Sequence, residues 1–144
     1  MTVEKQVKAL VEKLNGARPT LLALDEYWAG KQPAAFMSKK SRDAMGGELQ
    51  HMCVNFPRRA VTALAERLDV SGFRRDGETD ADAGLWQLWR RNRMPDQSAQ
   101  AHLDALVYGR SYALVWADAD GNPTITVESP LQVTAAHDPV TRRV

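Results

Sequence analysis

Apolar residues recur at helical spacing through the first two-thirds of the chain, and near residue 111 the period shortens to two. Val3, Val7, Leu10, Val11 and Leu14 fall on one helical face behind Thr2, a capping residue, and Asn15-Gly16 reads as the stop. Pro19 then opens a second helix, in which Leu21, Leu24 and Trp28 share a face up to Gly30. Residues 30–47 are expected to form a loop with one short helical turn after Ser41. Leu49, Met52, Cys53 and Phe56 return to helical spacing, but the residue before a proline avoids the α region, so Pro57 predicts a break near Asn55-Phe56. A further helix should follow with Val61, Leu64, Ala65 and Leu68 inward.

Residues 70–74 (VSGFR) suit a short strand, and the polar, acidic stretch after them a surface loop leading into a helix N-terminus. Leu85, Trp86, Leu88 and Trp89 make the stripe of the next helix, which Pro95 should end. Another helix is expected from Asp96 to Tyr108, with Ala99, Leu103, Leu106 and Val107 buried and Gly109 as its stop. Beyond it, SYALVWAD reads as a strand apolar on both faces and PTITVES as a strand apolar on one, joined by a DADGN hairpin loop. SPLQV leads toward a third strand, Asp138-Pro139 toward a turn, and Thr141 to Val144 toward a returning strand whose partner must lie elsewhere. The expected architecture is one α+β domain over residues 1–144, helical in its N-terminal two-thirds and closing in a small antiparallel β-sheet.

Charge changes this picture little. Lys and Arg number 19 against 18 acidic residues, so the net charge of +1 gives no global field toward nucleic acid or an anionic membrane. The single cysteine excludes an internal disulfide framework and suits a reducing compartment. No apolar run approaches the ~20 residues of a membrane span, and the N-terminus has no secretion-signal pattern.

Candidate chemistry is sparse. His51 and Cys53 are two residues apart, which on a helix turns them away from each other, and Cys53 fits the role of a small buried apolar group. Asp118, Asp120 and Asn122 have their glycine at the wrong place for a calcium loop and form a hairpin turn instead. Trp86 and Trp89, interleaved with Arg90, Arg91 and Arg93, suit a buried stripe beside a solvated basic end, or else a nucleic-acid contact. Arg58 and Arg59 sit in the first turn of their helix, where positive charge opposes the dipole, so a carboxylate partner is expected. The sequence has no phosphate loop, nucleophile elbow or zinc-binding helix motif, so no cofactor or metal is called for, and an interaction or structural role is the better expectation.

Several stretches in order resemble a known family. VNFPRRAVTALAERLDVSGFR, the acidic loop, LWQLWRRNRMPDQSAQAHLDALVYGRSYALVW and the closing DADGNPTITVESPLQVTAAHDPVTRRV are similar to the N-terminal region of tailed-bacteriophage portal proteins, in the branch common in phages of actinobacteria. The resemblance implies a ring-shaped oligomer, typically a dodecamer, at one capsid vertex of the virion, made in the bacterial host cytoplasm. It implies a structural protein and not an enzyme. Its partners would be copies of itself, the terminase, scaffold or capsid and neck proteins, and the double-stranded DNA passing through the full ring, with no membrane partner. The matching region corresponds to the start of the outer wing. The stem and clip of the family are expected after the point where this sequence stops, which marks it as a fragment or as the product of a shortened, prophage-derived gene.

A ring needs two different complementary patches on each copy. The residues expected to supply them are Asp80 and Asp82 of the acidic loop and Arg58, Arg59, Arg90, Arg91 and Arg93 of the basic helix ends. The alternative is a self-standing interaction or nucleic-acid-binding adaptor domain using the Trp/Arg helix.

Overall fold

The computed structural model describes residues 2–31, 38–44, 55–138 and 140–141. His51 and Cys53, and the helical stretch predicted before Asn55, lie outside the described residues. The order of elements is α1 (Val3–Ala29), α2 (Lys39–Ala44), α3 (Phe56–Ala65), α4 (Ala83–Arg91), α5 (Met94–Tyr108), β1 (Tyr112–Ala117) and β2 (Pro123–Glu128). This is the expected α+β order, helices first and a two-stranded antiparallel sheet after them.

Asn15-Gly16 does not stop the first helix, and Pro19 does not begin a new one: α1 runs unbroken through both. An interior proline forfeits one backbone hydrogen bond and strains the turn before it, at a cost of about 3 kcal/mol. The continuous stripe explains the outcome. Leu10, Leu14, Ala17, Leu21 and Trp28 are the apolar positions that face the body of the protein, spaced three, four or seven apart across the whole length, and Leu21 is buried. Two shorter helices would break that alignment. The helix ends at Gly30, whose φ of 74° is left-handed and lets the Lys31 amide donate back to the Glu26 carbonyl at 2.8 Å.

Gly30 also lies where α1 and α3 meet. A Cβ there would stand 2.9 Å from Nδ2 of Asn55, the side chain that caps α3. Asn55 Oδ1 accepts from the Arg58 amide at 3.0 Å while its Nδ2 donates to the Trp28 carbonyl at 2.8 Å. One amide thus closes the start of one helix and the end of another, at the break that Pro57 predicted. In α3 the inward positions are Val61, Thr62 and Ala65. Leu64 and Leu68, expected inside, are exposed.

Residues 70–74 form no strand. Phe73 instead packs against Trp86 and Trp89, with ring centroids at 6.0 and 5.1 Å, and its carbonyl accepts from the Asp82 amide at 2.8 Å. That bond closes the acidic loop on itself. The chain between α4 and α5 turns in two residues, and Arg93 takes a left-handed φ of 53° to do so. α4 therefore ends before Pro95, which serves as a first-turn residue of α5, where its missing N–H costs nothing.

α5 is the central element, touching α1, α3, α4 and β2. Met94 and Asp104 are its buried residues, whereas Ala99, expected inside, is exposed. The strands pair Tyr112 with Glu128 through Ala117 with Pro123. The loop between them is built on Asp118, whose Oδ1 accepts from the amides of Asp120 and Asn122 at 3.0 and 2.7 Å, with Gly121 at a φ of 78°. Beyond β2, Pro130 is fully buried, and no third strand forms among the described residues. The predicted turn at Asp138 is present, its Oδ1 accepting from the amides of Val140 and Thr141.

Candidate interaction surfaces

The charged residues singled out above fall into two groups. Asp82 is committed inside the chain. It caps α4, its Oδ1 accepting from the Leu85 amide at 2.9 Å, and its Oδ2 accepts from Nε of Arg75. The Leu85 amide first and the Arg75 side chain second hold its carboxyl below the ordinary aspartate range. Arg91 is also engaged: its Nη2 donates to Asp118 Oδ2 at 3.2 Å and ties the end of α4 to the hairpin loop. Asp118 is itself held below the usual range, chiefly by the Asn122 amide. Both groups serve the fold.

The other group faces solvent. Arg90 lies over the Trp86 ring at 5.5 Å, and Arg58 lies over Trp28 at 5.1 Å, which stands in place of the carboxylate expected for it. Arg93 meets Asp96 at 3.6 Å, with both side chains around four-fifths exposed, so the pair adds little. Arg59 and Asp80 are exposed and make no ion pair among the described residues. The structure does not bring Asp80 and Asp82 together with Arg90, Arg91 and Arg93 in one chain.

Two residues that sequence reasoning passed over organise this region. Asn92 Nδ2 donates to the carbonyls of Leu88 and Pro123 at 3.0 and 3.1 Å, and its Oδ1 accepts from the Ile125 amide at 2.8 Å. Gln97 Nε2 donates to the carbonyls of Asn92 and Ile125 at 2.7 and 3.2 Å, and its Oε1 accepts from the Val127 amide at 2.9 Å. In an antiparallel pair, alternate residues turn their backbone groups away from the partner strand. Pro123, Ile125 and Val127 do so on β2, and the two side-chain amides bond those groups as a third strand would. The signal was available in NRMPDQ, where two amides flank a proline at a helix junction.

A second polar cluster joins α1 to α5. Tyr108 Oη donates to Asp25 Oδ1 at 2.8 Å, and Gln100 Nε2 donates to Asp104 Oδ1 at 2.7 Å. Burial pushes Asp104 above the ordinary carboxylate range, and burial together with Asp25 pushes Tyr108 up to about 12. No group of side chains suited to a metal ion occurs among the described residues, and no helix there is long and apolar enough to cross a membrane.

The strongest polar groups of the helical body and its small sheet hold elements of the fold together. The model for phage portal proteins of the SPP1 Gp6-like type matches residues 8–144, and the chain belongs to the phage portal protein family. No curated protein matches it closely. The family is structural and not enzymatic.

Proposed function

We propose that this chain is a component of the portal ring at a capsid vertex of a tailed phage, through which DNA is packaged and ejected. The observation that carries this is the family match over residues 8–144. The geometry supports it in one respect: the charged groups divide between those that hold the fold and those left outward. Arg59, Arg90, Arg93 and Asp80 are the ones available to a neighbouring copy, and Arg58 contributes from its place over Trp28. Terminase, capsid and neck proteins are the partners that such a ring would meet.

Light scattering on the purified chain over a wide concentration range tests the self-assembly this requires. The expected result is a mass that climbs with concentration toward a closed ring, typically twelve times 16.0 kDa. A mass of 16.0 kDa at every concentration would overturn the proposal that this chain builds the ring through its own contacts.

A further inference from the structure

The hairpin has two edges, and they are treated differently. The edge of β2 is closed by Asn92 and Gln97. On β1 the register turns the backbone groups of Ala113, Val115 and Ala117 outward, and among the described residues nothing bonds them. Edges left open in soluble proteins are usually blunted with charge, proline or a bulge. β1 (YALVWA) has none of these.

Its faces are open as well. Leu114 and Trp116 point to one side and Val115 to the other, and all three are 46–66% exposed. A strand apolar on both faces is the pattern of an interior strand. Nearby, the stripe of α1 continues forward past the body of the protein, where Val3, Val7 and Val11 are 50–73% exposed. Between the front of α1 and the start of β1 runs a groove of about 520 Å³, lined by Leu10, Tyr112, Leu114 and Val133 and spanned at one point by Lys13 Nζ donating to the Ala135 carbonyl at 2.7 Å.

Among the described residues the buried apolar side chains are Leu21, Met94 and Pro130. Permanent subunit contacts bury roughly 2,000–5,000 Å² and resemble a divided core, which is the kind of cover this face lacks.

We propose that the front of α1, the groove and the outer edge of β1 form an interface with a second copy of this chain, which pairs with the β1 edge and covers its faces. The inference rests on the ring proposed above, and it names where that ring is joined. A second copy is the occupant because the family implies an oligomeric ring and because, Lys13 apart, the face offers chiefly apolar side chains and strand-edge groups to whatever sits there.

The experiment introduces Val7→Lys together with Val115→Lys into the full chain and follows mass against concentration, with circular dichroism as the check on folding. The expected result is unchanged helicity and at least a tenfold weaker self-association. Val140→Lys, at another exposed valine, should change neither. In the unaltered chain the amides of Ala113 and Val115 should exchange with solvent more slowly as concentration rises, a measurement independent of how the double variant folds. If the unaltered chain self-associates while the double variant does so equally well, or those two amides exchange at one rate throughout, this interface is wrong and the ring proposal stands. If the unaltered chain never self-associates, the ring proposal fails and this interface with it.

Discussion

Replacing Asn92 with alanine is the sharpest test of how the sheet is held. The substitution removes three hydrogen bonds, to Leu88, Pro123 and Ile125. A net contribution near 1 kcal/mol per bond would give about 3 kcal/mol. The carbonyls of Leu88 and Pro123 can recover water, which lowers the sum, whereas the Ile125 amide is part-buried and loses its acceptor, which raises it. We expect about 2–3 kcal/mol, a large share of a stability of 5–15 kcal/mol. Gln97→Ala should cost a similar amount. The two losses should not add, because both side chains bond Ile125 and Gln97 donates to the Asn92 backbone. Asn92→Asp should be no better than alanine, since a carboxylate cannot donate to the two carbonyls it would face. Urea unfolding with an unchanged slope measures the energies, and hydrogen exchange at Ile125 and Val127 locates them. The reasoning is refuted if both alanine variants lose less than about 0.5 kcal/mol while those amides remain protected.

Asp104→Asn should stabilise the protein at neutral pH. The native carboxyl has a raised pKa, so the folded state holds its proton more tightly than the unfolded state, and stability falls as pH rises from the unfolded value near 3.8 through the native one. Denaturation midpoints measured across that range should lose this slope in the variant. In an alkaline absorbance titration one of the three tyrosines should ionise near 12, and Tyr108→Phe should delete that step. The same variant should lose about 1–2 kcal/mol at neutral pH through its bond to Asp25, while in the parent stability should decline between pH 10 and about 12. Gly30→Ala combines a left-handed φ with a Cβ set against the Asn55 amide, and thermal melts should show a loss of about 1–2 kcal/mol.

Local signals in the sequence carried most of the fold. The break at Asn55-Phe56, the stop at Gly109 and the turn at Asp138 mark real boundaries because each acts through bonds or backbone geometry within a few residues of itself. Failures came where distant packing overrode such a signal. Asn15-Gly16 and Pro19 are strong punctuation, but the stripe from Leu10 to Trp28 binds to a surface made by α3 and α5, which no local window contains. Residues 70–74 have strand-like composition, yet Phe73 finds two tryptophans of α4 and no strand to pair with. Among the candidate contact residues, composition pointed to the charged ones and could not tell Asp82 and Arg91, with partners inside the chain, from Arg59 and Asp80, which make no ion pair among the described residues. The amides of Asn92 and Gln97 were missed because their role depends on a strand edge about thirty residues further on.

The closure of β2 by two side chains also gives the sheet a polarity. A hairpin open at both edges can accept a strand on either side, and each addition presents a new edge, which is the route to open-ended fibres. With Asn92 and Gln97 in place, an incoming strand can join on the β1 side alone. Loss of that clasp would leave a two-sided template. Variants at Asn92 or Gln97 should therefore be judged by the sediment they form on ageing as well as by their melting.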